Sequence, residues 1–265
     1  MRVLMCPPSE FAVPWQINPW MNLENQPNKE TAWRQWHKIF EIYQRLRLRV
    51  LLIQPIKGLP DMIFTANAAW GRKGNFVISS FRHPERRPEQ DYYKTWLESR
   101  GFKTTEPPSG INFEGQGDFI TTKEAYLFGH GIRSSIEAMD FIKKNMNLIK
   151  EIIPLKLVNQ KFYHLDTCMM YIYPINAIMY FPEAFDEEGL SRIKNLEANK
   201  IEVTQEEAES FICNGIYFED TIVLGGRTER IAPMLQEKGL EVIITDVSEF
   251  KKSGAGIRCL TLFLD

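Results

Sequence analysis

Cysteine and histidine are scarce in this 265-residue chain, four of each, and their spacing excludes more than it admits. Cys6, Cys168, Cys213 and Cys259 stand at least 45 residues apart, so there is no Cys-x-x-Cys pair and no compact disulfide framework. Reduced thiols are expected. His37, His83, His130 and His164 show neither the i, i+4 nor the clustered Cys/His spacing of a zinc site, so neither a metal nor a cofactor is expected. No stretch approaches the roughly 18 to 20 unbroken apolar residues of a membrane helix, and the opening MRVLMCPPSEFAVPW lacks the apolar core of a signal peptide. The chain therefore reads as cytoplasmic. Charge of one sign is also missing: 32 Lys and Arg against 34 Asp and Glu leave a formal net charge of −2, which gives no reason to expect nucleic acid or a membrane as partner. A small molecule is the expected partner, and homo-oligomerisation is left open.

What is present is globular. With 44% hydrophobic and 25% charged residues the chain can bury a sizeable core, and no linker or low-complexity tract divides it, so one domain over residues 1–265 is expected. Five passages resemble one another: DMIFTANAAWGRKGNFVISS, FEGQGDFITTKEAYLFGH, HLDTCMMYIYPINAIMYFP, CNGIYFEDTIVLGG and CLTLFLD. Measured from Asp61 through Glu114, His164 and Cys213 to Cys259, they are 53, 50, 49 and 46 residues apart. That period predicts five copies of one supersecondary unit. Helix-like segments such as EQDYYKTWLESRG and RIAPMLQEKG lie between the passages, so the unit reads strand, strand, helix, strand, or ββαβ. The fifth copy is cut short, and RVLMCPP with KETAWRQWHKIFEIYQRLR at the N-terminus can complete it. The fold class is α/β, with a closed ring of five modules favoured and a doubly wound sheet as the alternative.

In such a ring, polar residues at equivalent places in different repeats can meet. They are Asp61 and Asn67, Glu114 and Asp118, His164 and Asp166, and Cys259. Together they permit thiolate attack on an electrophilic carbon, with a histidine moving protons. His164 and Asp166, one residue apart, would share a face on an extended segment. Gly254 and Gly256 let backbone approach Cys259, either as N–H donors or as an ordinary helix end. Four carboxylates (Asp61, Glu114, Asp118, Asp166) facing a cysteine would raise its pKa unless a cation enters, and a guanidinium suits them best. Arg133 is a candidate for holding a substrate carboxylate. Cys168 and Cys213 read as core packing.

Taken in order, LPDMIFTANA, FEGQGD, GIRSS, FYHLDTC, FICN and SGAGIRCLTL resemble the guanidino-group-modifying (pentein) superfamily, over the whole chain. The resemblance implies a five-bladed α/β propeller with pseudo-fivefold ββαβ repeats, the last completed by the N-terminal strand. Within the superfamily, LMCPP, INPWM and FTANA are most similar to the arginine dihydrolases, and Asn67 stands where an arginine deiminase usually has Asp. By that resemblance arginine would yield ornithine, carbon dioxide and two ammonia molecules. Cys259 would be the nucleophile, His164 the proton carrier and Glu114 its orienting partner. Asn18, Asp61, Asn67, Asp118, Arg133, Asp166 and Gly256 would line the substrate site. An arginine deiminase, a dimethylarginine or other substituted-guanidine hydrolase, an amidinotransferase and a non-catalytic binding protein of the same fold remain alternatives. Ala255 departs from the usual glycine-rich run and Gln116 stands where small residues are common, and either could alter the pocket.

Overall fold

The computed structural model describes residues 1–265, and its strands form five separate three-stranded sheets. The doubly wound alternative is thereby ruled out. Each sheet repeats one order. Ala69–Arg72 pairs antiparallel with Asn75–Ile78, which pairs parallel with Lys103–Thr105 after the helix Glu89–Ser99. A parallel neighbour needs a crossover, and the helix supplies it. The same order holds for Phe119–Thr121, Ala125–His130 and Glu151–Lys156, for Met169–Ile172, Ala177–Tyr180 and Asn199–Glu202, and for Ile216–Phe218, Thr221–Leu224 and Glu241–Ile244. In the fifth sheet the C-terminal Leu262–Phe263 pairs antiparallel with the N-terminal Arg2–Met5, whose other neighbour is the parallel strand Arg49–Leu52. The truncated last repeat is thus completed by the start of the chain, as its sequence leads one to expect.

The middle strand of each sheet is buried along almost its whole length, as in Ala177–Tyr180 and Thr221–Leu224. Such strands show continuous apolar runs rather than alternation. The third strands, such as Asn199–Glu202, are half exposed and mixed in polarity. The longest helix, Lys29–Arg45, starts where the Asn28 side chain accepts the Thr31 N–H at 2.9 Å. It buries Ala32, Trp36, Ile39, Ile42 and Tyr43 at three- and four-residue spacing. These side chains pack in one cluster with Val3, Phe250, Ile257 and Cys259, so the helix roofs the core around Cys259. Truncating a residue such as Ile39 to alanine would cost about 2–5 kcal/mol.

One local expectation is corrected. The repeats do not open as extended strands: short helical turns come first, at Pro60–Ile63 and Thr65–Ala68, at Gly115–Gly117, at Leu165–Cys168 and at Arg258–Leu260. A helical turn folds its backbone polar groups onto themselves, so it can be buried where a bare loop cannot. These turns carry the polar residues and touch one another across repeats. Asp118 accepts the Leu165 N–H at 3.1 Å, and the Asn214 side chain donates to the Asp166 carbonyl at 2.9 Å. No helix is long and apolar enough to cross a membrane.

Candidate active site

Cys259 sits in the turn Arg258–Leu260, buried, with its thiol against two side chains from other repeats. The Asn214 amide donates to Sγ at 3.2 Å, and the Asp166 carboxylate oxygens lie 3.7 and 3.9 Å from it. Asn214 is fully used. Its Oδ1 accepts the N–H groups of Gly256 at 3.0 Å and Cys259 at 3.2 Å, while Nδ2 serves both Sγ and the Asp166 carbonyl. A side chain on residue 256 would place its Cβ 2.9 Å from Asn214 Oδ1, so glycine is required there by close approach. The Gly256 N–H is bonded to Asn214 and also favours the thiolate of Cys259. Gly254, at φ +75°, follows the helix Ser248–Lys251, the ordinary helix-end use of such a glycine.

His164 lies between two carboxylates, Nε2 being 3.2 Å from Glu114 and Nδ1 3.2 Å from Asp118. Both oxygens stand off the direct N–H line, so the contacts are ionic rather than well-aligned hydrogen bonds. Burial pulls the imidazole pKa down, but Asp118 and Glu114 prevail and raise it to about 9. The ring is therefore an imidazolium at neutral pH. Burial pushes Glu114 up, yet Arg133 and His164 outweigh it and hold this carboxyl well below its ordinary range. Asp118 also accepts the Ser134 hydroxyl at 2.6 Å. It serves His164 rather than facing the cysteine.

The pairing expected of His164 and Asp166 on one extended face is not what forms. His164 is extended while Asp166 lies within a helical turn, so the two point at different partners. Burial pushes the Asp166 carboxyl up to about 6, against the pull of His164 and Arg258. Burial and Asp166 together push the Cys259 thiol well above its ordinary range, opposed by the Gly256 backbone N–H, Asn214 and Arg258. At rest the site holds a neutral thiol, a carboxylate and an imidazolium.

Asp61, Asn67, Arg133, Asn18 and Arg86 line the same small cavity as Cys259, about 10 Å³. Asp61 Oδ2 accepts the Trp15 indole N–H at 2.9 Å, and Oδ1 has no partner. Burial raises its pKa in spite of Arg86. Arg133 donates to Glu114 at 3.1 Å and to the Ile17 carbonyl at 2.9 Å, with its guanidinium over the Tyr163 ring. Those bonds commit it to the site's own groups, although it also borders an outer cavity of about 200 Å³ beside Arg82 and His83. The Asn18 side chain, expected to line the substrate site, borders that cavity and also fastens its loop. It donates to the Ser253 carbonyl at 3.0 Å and accepts the Trp20 N–H at 2.9 Å.

Three residues were not anticipated from sequence: Asn214, Arg86 and Glu89. Asn214 belongs to an Asn-Gly pair that reads as a turn, whereas Arg86 and Glu89 sit in RHPERRPEQ, which reads as an exposed loop. The i, i+3 spacing of opposite charges is the only signal they carry. Gln116 does not alter the cysteine's cavity. It accepts from Arg258 at 2.9 Å and ties to Phe263. Together with Arg258 and Asp166 it borders a separate cavity of about 730 Å³ at the hairpin ends.

Residues 12–264 match the family described as N,N dimethylarginine dimethylhydrolase, eukaryotic. The chain is 36% identical over 269 residues to the bifunctional arginine dihydrolase/ornithine cyclodeaminase ArgZ of Synechocystis sp., covering 99% of this chain but 37% of that protein. It is also 34% identical to the N(G),N(G)-dimethylarginine dimethylaminohydrolase of Mycobacterium tuberculosis, over 98% of this chain and 85% of that one. A solved variant of the ArgZ N-terminal domain, covalently bound to a reaction intermediate, superposes with a TM-score of 0.94 at 34% identity, covering 100% of this chain and 97% of that one. By matched length, by identity and by fold, the chain belongs to the N,N-dimethylarginine dimethylhydrolase family of guanidino-modifying enzymes.

Proposed function

We propose that the chain is a cysteine-dependent arginine dihydrolase, converting L-arginine and two waters into L-ornithine, carbon dioxide and two ammonia. The observation that carries this reading is the arrangement around Cys259: Asp61 and, at position 67, a buried amide with a free N–H line its cavity, and the Asp166 carboxylate lies 3.7 Å from its sulfur. Carboxylates Asp61 and Asp166 favour a cation. An amide donor favours a carbonyl oxygen, which the ureido group of citrulline has and a guanidinium lacks. A site for both reactions needs both kinds of group.

The chemistry follows from the charges. A guanidinium entering beside Asp166 offsets the negative field that keeps Cys259 protonated, so substrate binding favours the thiolate. The thiolate adds to the guanidinium carbon, and the His164 imidazolium protonates the departing ammonia. Neutral His164, still flanked by Glu114 and Asp118, then takes a proton from water as water attacks the thiouronium carbon. Collapse of that adduct regenerates thiolate and gives citrulline. The second cycle repeats these steps on the ureido carbon. Loss of ammonia leaves a thiocarbamate, whose hydrolysis releases ornithine and carbon dioxide.

A cavity of about 10 Å³ has room for about one water, far less than an arginine needs, so substrate needs the loop above it to lift. The loop is held by the Asn18–Ser253 and Arg133–Ile17 bonds and by the Trp20 indole donating to the Lys161 carbonyl at 2.7 Å. The architecture belonging to this reading is one domain over residues 1–265, its five sheets closed as a five-bladed propeller. The pairing of the first and last strands supports that closure.

A second reading, dimethylarginine hydrolysis, has the family description and the mycobacterial relative in its favour. Asp166 weighs against it, because methylated nitrogens offer fewer donors to a carboxylate. Purified protein given arginine, citrulline or asymmetric dimethylarginine separates the two. The dihydrolase reading expects ornithine from the first two; dimethylamine release with no ornithine would replace it with the second.

A further inference from the structure

The cavity of about 730 Å³ at the hairpin ends takes no part in the reaction above and shares no lining residue with the cavity of Cys259. Its size falls within the roughly 300–1,000 Å³ of small-molecule sites, which are mostly apolar with a few convergent polar groups. Trp70, Phe119, Tyr126, Tyr171 and Tyr217 supply much of the apolar wall. The charges are unevenly paired. Asp265 is held by Arg2 at 2.7 Å, whereas Arg72 donates to the Asn147 carbonyl at 2.6 Å and Lys73 is exposed in a turn, so the mouth is positive and attracts anions. Arg258 lies deeper, where burial disfavours its charge. Its guanidinium donates to the Thr261 carbonyl and to Gln116 Oε1, both at 2.9 Å, and lies over the Phe263 ring with its centre 4.8 Å from the centroid. Three of its five N–H donors thus have no protein acceptor, and no carboxylate forms an ion pair with it. A guanidinium without an anionic partner, bordering an aromatic cavity, fits the carboxylate of an amphipathic ligand.

We propose that this cavity is an inhibitory effector site for a small aryl monocarboxylate, whose carboxylate pairs with Arg258 and withdraws that arginine's charge from Cys259. The inhibition rests on the reading of Cys259 as nucleophile. Arg258 stands next to the cysteine in the turn Arg258–Leu260, and both are tied to Asn214: the Arg258 backbone N–H donates to the Asn214 carbonyl at 3.0 Å, and the Cys259 N–H to its Oδ1 at 3.2 Å. Asp166 links the cavity to the sulfur as well. It borders the cavity, and its carboxylate oxygens lie 3.7 and 3.9 Å from Sγ. Burial and Asp166 keep the thiol protonated, and Arg258 is among the groups that oppose them. A bound carboxylate cancels that opposition, so the thiolate becomes scarcer while the cavity that admits arginine stays free. The ligand carries one negative charge only. A dianion would bring a second charge toward Asp166, for which the wall holds no further deep cation. The aromatic wall sets the other half of the ligand, because aromatic side chains gain by packing edge-on or offset against another ring.

The probe is 3-phenylpropionate, with 3-phenylpropanamide as its uncharged counterpart. Titration calorimetry should show saturable binding of the acid, at least about tenfold tighter than of the amide, as a charge-assisted pair with Arg258 requires. Arg258→Met should erase that preference. Thr121→Trp, which fills the cavity from an exposed position on its rim, should weaken both probes alike. With arginine as substrate the acid should lower kcat and leave KM little changed. It should also slow alkylation of Cys259, read at its own peptide, by about tenfold at pH 8, the effect of one pK unit on the thiol. The amide at saturation should do neither. No saturable binding, equal affinity for acid and amide, a rise in KM alone, or binding that leaves alkylation unchanged would each overturn the inference. If Arg258→Met does not fold, the preference for acid over amide in the wild type and the loss of affinity in Thr121→Trp decide the question. Protein that binds the acid and protects Cys259 but leaves arginine intact would instead overturn the reading of function while upholding the site.

Discussion

Replacing Asn214 isolates the part of the site that sequence reading missed. Asn214→Ala removes four hydrogen bonds, leaving the Gly256 and Cys259 N–H groups and the Asp166 carbonyl buried without partners. At about 1–3 kcal/mol for each of these three orphaned groups the loss is roughly 3–9 kcal/mol, a large share of the ~5–15 kcal/mol that holds a typical domain folded. Asn214→Asp is the sharper probe. It keeps the acceptor for both N–H groups but replaces the donor at 3.2 Å from Sγ with negative charge. At an effective dielectric near 20, a unit charge at that distance opposes the thiolate by about 5 kcal/mol, more than three pK units. Thermal melting reports the first effect. The pH dependence of Cys259 alkylation, read at its own peptide by mass spectrometry, reports the second. The Ala variant should melt far below wild type, and the Asp variant should alkylate only at much higher pH. Wild-type pH dependence in Asn214→Asp would refute the claim that this amide supports the sulfur.

The pKa of His164, raised to about 9 by its two carboxylates, predicts that kcat/KM declines above about pH 9 as the proton donor is lost. Asp118→Asn should move that descending limb to lower pH, and an unmoved limb would remove Asp118 from this role. The same shift predicts a stability profile. His164 carries a folded-state pKa above its ordinary 6.5, so its contribution is complete below pH 6.5 and is lost as pH rises through about 9. Chemical denaturation at pH 6, 8 and 10 should show that loss, and His164→Gln should flatten it. Asp166, raised to about 6, likewise favours the folded state most at pH below about 4, and its share disappears as pH climbs through 6. Asp166→Asn should therefore lessen the dependence between pH 4 and 6, measured by the same denaturation series.

Much of the architecture was legible because it is periodic. The spacing near 50 residues exposed five units, and the strand-like RVLMCPP with the long amphipathic segment after it showed where the missing part of the fifth lay. The helices at Glu89–Ser99, Glu137–Asn145, Glu187–Asn195 and Ile231–Glu237 fall where their apolar spacing puts them. The turns that begin the repeats were not legible. Three or four residues are too few to show a helical period, and Leu165–Cys168 is held by tertiary contacts rather than propensity. That is why His164 and Asp166 were given one face and have two. Cys259, His164 and Glu114 were singled out because polar residues at equivalent places in the repeats stand out against apolar runs, and their roles are what the family resemblance implies. Asn214, Arg86 and Glu89 were not, since their significance lies in what they touch across the sequence, such as the 45 residues between Asn214 and Cys259.

The central claim is that Cys259 bonds covalently to the guanidinium carbon of arginine and that the product is carried on to ornithine. Rapid-quench intact-mass spectrometry of the wild-type protein with arginine tests it most directly, alongside a count of ammonia and ornithine at completion. The account predicts an adduct on Cys259 with the mass of arginine less one ammonia, absent in Cys259→Ser. Two ammonia should form for each ornithine. Turnover of arginine by Cys259→Ser, or citrulline accumulating as the final product, would contradict it.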